Sequence, residues 1–246
     1  MLKVKKTKIL GSLCILMLMI AAASGFAQSV EPEPDKALLA RFEAVCKEIG
    51  NIKGSYTLGG VMSVDDKANA GNKMQNVQFL FCKQGDDFYY QLGTTATLNG
   101  QGVYLYINHQ TKRVIVSQQK QTIYDMGFKQ FSDMAANIAS EHYKLVSKIT
   151  GDEQTISLIN EQHISCKQYS VSFNRHNMKI RRLYMRLSNP VDPLRTDNEK
   201  IVDVSISKWD STADLSKYLS KNRVIKNING GWKTVNEFKN YQLIKM

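Results

Sequence analysis

Residues 76–117 read NVQFLFCKQGDDFYYQLGTTATLNGQGVYLYINHQTKRVIVS, and this stretch decides the fold. Four runs of β-branched and aromatic residues are separated by Gly85-Asp86-Asp87, Asn99-Gly100 and His109-Gln110-Thr111-Lys112, all of turn composition. The pattern predicts an antiparallel meander. In its last hairpin Val103, Leu105 and Ile107 alternate with Tyr104 and Tyr106, and Val114 and Val116 answer across the turn. One face must therefore meet apolar atoms, supplied either by a fixed core or by a removable ligand. Phe79, Phe81, Val103, Leu105 and Ile107 are assigned to inward positions, with the parity of each strand open by one register.

Upstream, Ile52, Tyr56 and Leu58 keep a period of two up to Gly59-Gly60, a pair that predicts a bend or bulge before Val61 to Val64. Asp65 to Asn72 is small and polar and reads as a mobile turn. Before this strand, Leu38, Leu39, Phe42, Val45, Cys46 and Ile49 recur at helical spacing, with Asp35 as N-cap and Gly50 as stop. Glu31-Pro32-Glu33-Pro34 forms an extended tether to that helix.

Downstream of the meander, Met126, Phe128, Phe131, Met134, Ala135 and Ile138 form an apolar stripe on a helix between Tyr124 and His142. Such a helix is either permanent core or a lid, and its methionines and phenylalanines suit a surface that holds flexible chains. Strands follow over Thr155 to Ile159, Ile164 to Phe173, Met178 to Leu187 and Ile201 to Trp209. Residues 174–177 read as a hairpin loop, and the phase change inside Met178 to Leu187 predicts a bulge at Arg181-Arg182. Pro190 and Pro193 make Ser188 to Lys200 an irregular loop; one helical turn over Asp214 to Leu219, a tight turn at Asn229-Gly230-Gly231 and a closing strand at Tyr241 to Ile244 complete the chain.

The first residues carry Lys3, Lys5, Lys6 and Lys8, then an apolar run from Ile9 to Ala23, then Gly25-Phe26-Ala27. This order predicts a secretory signal peptide over residues 1–27, cleaved before Gln28. With its four lysines removed, the formal charge of +11 becomes 11 − 4 = +7 for residues 28–246. The excess suits a solvated basic exterior, with an anionic membrane surface as the alternative partner. No nucleic-acid-binding motif occurs, and nucleic acid is not expected as a partner. Cys46, Cys82 and Cys166 remain after cleavage, too few for a disulfide framework; Cys46 belongs to the apolar face of the first helix, so Cys82 with Cys166 is the one pair to test.

Catalytic signatures are missing from the sequence: there is no G-x-S-x-G elbow, phosphate-binding glycine loop or H-E-x-x-H. His109, His142, His163 and His176 are scattered, and the pair His163 and Cys166 alone makes no metal signature. Asp86-Asp87 and Asp152-Glu153 stand in predicted turns, where acids are favoured for backbone reasons. The expectation is a protein without catalytic residues, metal or cofactor.

The segment Phe79 to Tyr90, then Asn99-Gly100, Val103-Tyr104-Leu105-Tyr106-Ile107-Asn108 and Lys112-Arg113-Val114-Ile115-Val116, resembles the strand-turn-strand, glycine turn, aromatic strand and returning valine strand of the periplasmic lipoprotein-carrier superfamily, LolA-like and LolB-like. About 40 residues carry the resemblance. Lys83-Gln84-Gly85 stands where the family usually has Arg-Pro, and no arginine lies between Arg41 and Arg113 to match the one that helps hold the family's lid. The resemblance implies an α+β fold: a curled antiparallel sheet, or half-open barrel, with helices packed on its concave side, in a single domain over residues 28–246. It also implies a periplasmic or extracellular carrier of lipid, lipoprotein acyl chains or another apolar ligand. The expected cavity residues are Tyr56, Leu58, Phe79, Phe81, Val103, Leu105, Ile107, Phe128, Phe131, Met134 and Ile138. The alternative is a non-catalytic envelope module, structural or interacting, with a filled core.

Overall fold

The structure, a computed structural model, describes residues 36–50, 54–120, 141–211 and 215–246. Residues 1–27, expected as a signal peptide, Asp35 and the stripe from Met126 to Ile138 lie outside the described residues. The chain divides into two compact units: Met1–Gly50, Val64–Met74 and Tyr124–Asp203 form one, and Asn51–Ser63, Gln75–Ile123 and Val204–Met246 form the other. Strand dominates both.

In the second of these, the meander unit, the strands are β1 (Ser55–Asp66, as far as Ser63), β2 (Met74–Gln84, from Gln75), β3 (Asp87–Leu92), β4 (Thr95–Gly100), β5 (Val103–Asn108) and β6 (Arg113–Gln118). Five strands thus stand where four runs were expected between Asn76 and Ser117, because Gly93 and Thr94 divide the second run. Asn99 and Gly100, expected as a turn, end β4; the turn residues are Gln101 and Gly102, with φ of 53° and 79°. Two positive φ angles in succession match the twist of a hairpin, and Gly102 adopts one without steric cost. Strands β2 to β6 pair antiparallel in chain order. The predicted closing strand is present as β14 (Gln242–Lys245), which pairs with β6 in parallel.

The registers fix the faces, since directly opposed residues share one. Leu105 stands opposite Leu98 and Val116, and Ile107 opposite Ala96 and Val114. Phe81 stands opposite Tyr90, Tyr90 opposite Thr97, and Thr97 opposite Tyr106. Phe79 and Phe81 therefore lie on the other face from Val103, Leu105 and Ile107, and the single inward set expected from the sequence is split between two faces.

The aliphatic face is covered by the C-terminal part of the same unit. Here α1 denotes the helix Lys36–Gly50 and α2 the single turn Ser216–Leu219; β12 (Ile225–Ile228) and β13 (Gly231–Thr234) form a hairpin turned by Asn229 and Gly230. Val224, Ile225 and Phe238 are buried against Ala96, Leu98, Val103, Leu105, Ile107, Val114 and Val116, with Trp232, Tyr241 and Leu243 packed on the outside. Leu215 and Leu219 bury Cys82 on the same face. At the other side of the unit, a Cβ at Gly60 would lie 1.9 Å from the Ser205 carbonyl oxygen. Gly60 thus serves a close backbone approach.

In the first unit, β7 (Lys144–Thr150), β8 (Glu153–Ile159), β9 (Cys166–Asn174) and β10 (Ile180–Leu187) pair antiparallel in order, and β11 (Lys200–Asp210), which belongs to this unit as far as Asp203, is the neighbour of β10. The bulge expected at Arg181-Arg182 is present as a register shift between Ile180 and Arg182. Strand β7 had no counterpart in the sequence reading. One face of this sheet is apolar, with Ile156 opposite Val171 and Leu158 opposite Tyr169; the other is a hydroxyl ladder, Ser157 to Ser170 at 2.8 Å and Thr155 to Ser172 at 2.7 Å. Helix α1 buries Phe42, Val45 and Cys46, and Phe42 meets the Tyr169 ring edge-on at 6.0 Å.

Cys46, Cys82 and Cys166 are all free, so the bridge considered for Cys82 and Cys166 is not formed. Thr57 Oγ1 donates to Cys82 Sγ at 3.7 Å, and Cys166 Sγ donates to the Gln168 carbonyl at 3.3 Å. His163, three residues before Cys166, uses Nδ1 to accept from the backbone N–H groups of Ser165 and Cys166 at 3.2 and 3.0 Å. It organises the turn into β9.

Candidate functional site

The aromatic face of the meander unit is assembled by strand register. Tyr56 of β1 lies 5.8 Å from Phe81 of β2, which lies 6.3 Å from Phe88 and 6.5 Å from Tyr90 of β3. Tyr106 continues the face through Thr97, and Lys120 Nζ stands 4.2 Å above the Tyr104 ring at its end. Tyr56, Leu58, Phe81 and Phe88 are buried, whereas Phe79, Tyr90, Tyr104 and Tyr106 are half-buried. Asn99, 1% exposed, is satisfied within this unit: its Nδ2 donates to the Lys120 carbonyl at 3.0 Å and its Oδ1 accepts from Lys120 N–H at 2.9 Å.

Of the expected cavity residues, Tyr56, Leu58, Phe79 and Phe81 belong to β1 and β2, and the ring contacts bring Tyr56 and Phe81 together. Val103, Leu105 and Ile107 lie in the aliphatic cluster on the opposite face. Phe128, Phe131, Met134 and Ile138 lie outside the described residues. Sequence reasoning missed Phe88, Tyr90, Tyr104 and Tyr106, although the alternation that singled out Leu105 also marks Tyr104 and Tyr106 as a second face that is not polar.

A cavity of about 250 Å³ lies on the aliphatic side of the meander unit, lined by β3 to β5 and by the segment from Lys217 to Phe238. Leu98, Ile107, Val224 and Phe238 give it apolar walls, and Tyr89 and Tyr218 lie 5.5 Å apart on its flank. The Arg223 guanidinium donates to Glu237 Oε1 at 2.8 Å, and His109 Nδ1 is 3.0 Å from the Tyr241 hydroxyl. Burial lowers the His109 pKa although Glu237 pulls it upward, so the imidazole is neutral at pH 7; burial pushes the Tyr89 phenol up to about 12, against the pull of Arg223. Sequence reading gave no signal for this site, because Lys217, Tyr218, Arg223, Glu237 and Phe238 belong to no periodic pattern.

A separate polar cluster lies in the other unit. Lys167 Nζ donates to Glu199 Oε1 at 3.0 Å, and both side chains are almost wholly sealed from water. Arg186 reaches the same carboxylate at 3.1 and 3.2 Å and pairs with Glu161 at 2.7 and 2.9 Å. Every charge in it has a partner, so the cluster reads as a structural clamp on the loop that ends at Glu199. Among the described residues no group of three or more histidine, cysteine or acidic side chains is placed to hold a metal ion, and no helix is long and apolar enough to cross a membrane.

No protein-family model matches the chain, and no curated protein matches its sequence. Among solved structures it is similar to an uncharacterized conserved protein from Thermus thermophilus, with a TM-score of 0.42 and 7% identity over 85% of this chain and 98% of that one. A LolA superfamily protein from Nitrosomonas europaea is similar with a TM-score of 0.32 and 11% identity, over 78% of this chain and 99% of that one. A DUF1329 family protein from Desulfovibrio piger scores 0.31 with 10% identity, over 78% of this chain and 99% of that one.

Proposed function

We propose that this is an exported, non-catalytic binding protein that carries a lipid, a lipoprotein acyl chain or another apolar ligand on the aromatic face of its meander unit. One observation carries the reading: a run of aromatic side chains from Tyr56 through Phe81, Phe88 and Tyr90 toward Tyr106, on a sheet whose opposite face is separately filled by Val224, Ile225 and Phe238. A sheet that is half-solvated needs apolar residues on one face alone. This one has them on both. The half-buried members Phe79, Tyr90 and Tyr106 offer rigid, large and partly accessible surface, the kind on which an alkyl chain loses contact with water. The charged start, apolar run and small residues before Gln28 support export, and the sequence resemblance to lipoprotein carriers points to the periplasm.

The envelope module with a filled core is the second reading. It is favoured by the full burial of Leu105 and by the modest size of the cavity, about 250 Å³ against roughly 300 Å³ at the lower end of small-molecule pockets. Titration of purified protein with a dansyl-labelled fatty acid separates the two. The carrier reading expects saturable binding that weakens about tenfold in Tyr106→Ser with little loss of stability. Absence of binding by the parent protein favours the module.

A further inference from the structure

We propose that the cavity beside β3 to β5 is a second binding site, specific for a small monocarboxylate with a flat apolar body, such as an aromatic acid. Its position sets it apart from the acyl-chain face. Tyr89, Leu98 and Ile107 project into it from the side of the sheet opposite Phe81, Tyr90 and Tyr106. A volume of about 250 Å³ is below the range of drug-sized ligands and selects a small guest.

The walls define its body. Leu98 and Ile107 form an apolar floor, both nearly inaccessible to solvent, and Phe238 and the Tyr89–Tyr218 pair, with ring centroids 5.5 Å apart, supply aromatic walls. Such walls favour a planar ring, which packs by offset stacking or edge contacts.

The polar lining defines its head. Lys217 and Arg223 bring two positive charges and Glu237 one negative, while His109 is neutral, so the site carries an excess of one positive charge. Arg223 is engaged by Glu237 and by the Lys217 carbonyl. Lys217 pairs with no carboxylate among the described residues; its ammonium lies 4.8 Å from the Tyr218 ring centroid and its side chain is exposed. The Ser220 hydroxyl makes no hydrogen bond among the described residues. Among the described residues the lining groups without a hydrogen-bond or ion-pair partner are thus the Lys217 ammonium and the hydroxyls of Ser220 and Tyr218, all donors that a carboxylate accepts from.

The test is a calorimetric titration of the full mature chain with benzoate, alongside benzyl alcohol as the uncharged ring of the same size, with the His109 and Tyr218 ring resonances followed by NMR. Benzoate is expected to bind with a Kd below about 10 mM, at least about tenfold tighter than benzyl alcohol, and to shift both sets of resonances. Lys217→Gln, an exposed change that leaves the core intact, is expected to remove most of that preference, and Ser220→Ala to weaken benzoate about threefold, with melting temperatures unchanged. Benzoate is also expected not to displace a dansyl-labelled fatty acid. Failure of benzoate to bind, equal affinity for the alcohol, or indifference to Lys217→Gln would each overturn the proposal, and displacement of the fatty-acid probe would assign the cavity to the acyl-chain site instead.

Discussion

Lys167 Nζ and Glu199 Oε1 lie 3.0 Å apart with 1% and 2% of their side chains exposed, a buried ion pair between a strand and a loop thirty-two residues away. Lys167→Met removes one sealed hydrogen bond while Arg186 still holds the carboxylate at 3.1 and 3.2 Å, so it should cost about 1 to 3 kcal/mol in urea denaturation. Burial alone would raise the Glu199 carboxyl, but hydrogen bonds from Arg186 and Lys167 outweigh it and hold the pKa below the ordinary carboxylate value. A depressed folded-state pKa contributes stability above the unfolded value of about 4.5 that is lost as pH falls through the folded one. Melting temperature should therefore fall below pH 4.5 in the parent protein, and less steeply in Glu199→Gln; equal slopes would show that other carboxylates govern acid stability.

Gly60 and Gly85 make opposite demands. A Cβ at Gly60 would meet the Ser205 carbonyl at 1.9 Å, and backbone cannot step aside, so Gly60→Ala should cost more than about 3 kcal/mol or prevent folding. Gly85, at φ +58° with nothing within 4 Å of the added atom, should pay only the left-handed backbone penalty of about 1 to 2 kcal/mol. Comparable losses for the two would contradict the close approach of β1 to Ser205.

Cys46, Cys82 and Cys166 should be slow to react in the folded protein. Burial, with Glu43 adding to it, pushes the Cys46 thiol up to about 12; burial likewise takes Cys166 to about 12 and raises Cys82 against the Thr57 hydrogen bond. The thiolate is the reactive form, so alkylation at pH 8 should be slow in the native state and complete at three sites in denaturant without reductant. A mass showing one alkylated cysteine would restore the disulfide.

What the sequence made legible followed alternation. Val103 to Ile107 against Val114 and Val116 announced a hairpin, and the phase change before Leu183 announced the bulge beside Arg182. Gly93-Thr94 passed unnoticed because strand-forming residues run up to it on both sides, and β7 because all but one of its seven residues are exposed, leaving no apolar rhythm. The cover on the aliphatic face was illegible for a related reason: Val224, Ile225 and Phe238 are isolated apolar residues in a polar stretch, joined only by folding. Lys167 and Glu199 are ordinary charges until β9 and the loop before β11 bring them together. The split of Phe81 from Leu105 came from taking two strands in one parity, where a slip of one residue exchanges the faces.

That split supplies the most direct test of the account. Leu105 and Tyr106 are neighbours on β5, the first 0% exposed in the aliphatic core and the second half-buried on the aromatic face. Leu105→Ala should cost about 3 to 5 kcal/mol and leave the affinity of the remaining folded protein for a dansyl-labelled fatty acid unchanged. Tyr106→Ser should cost roughly 1 kcal/mol and weaken that probe about tenfold. Measured together, stability loss at Leu105 and binding loss at Tyr106 support a carrier with one filled face and one receptive face; a parent protein that does not bind the probe, or a Tyr106→Ser variant that binds it as the parent does, would contradict it.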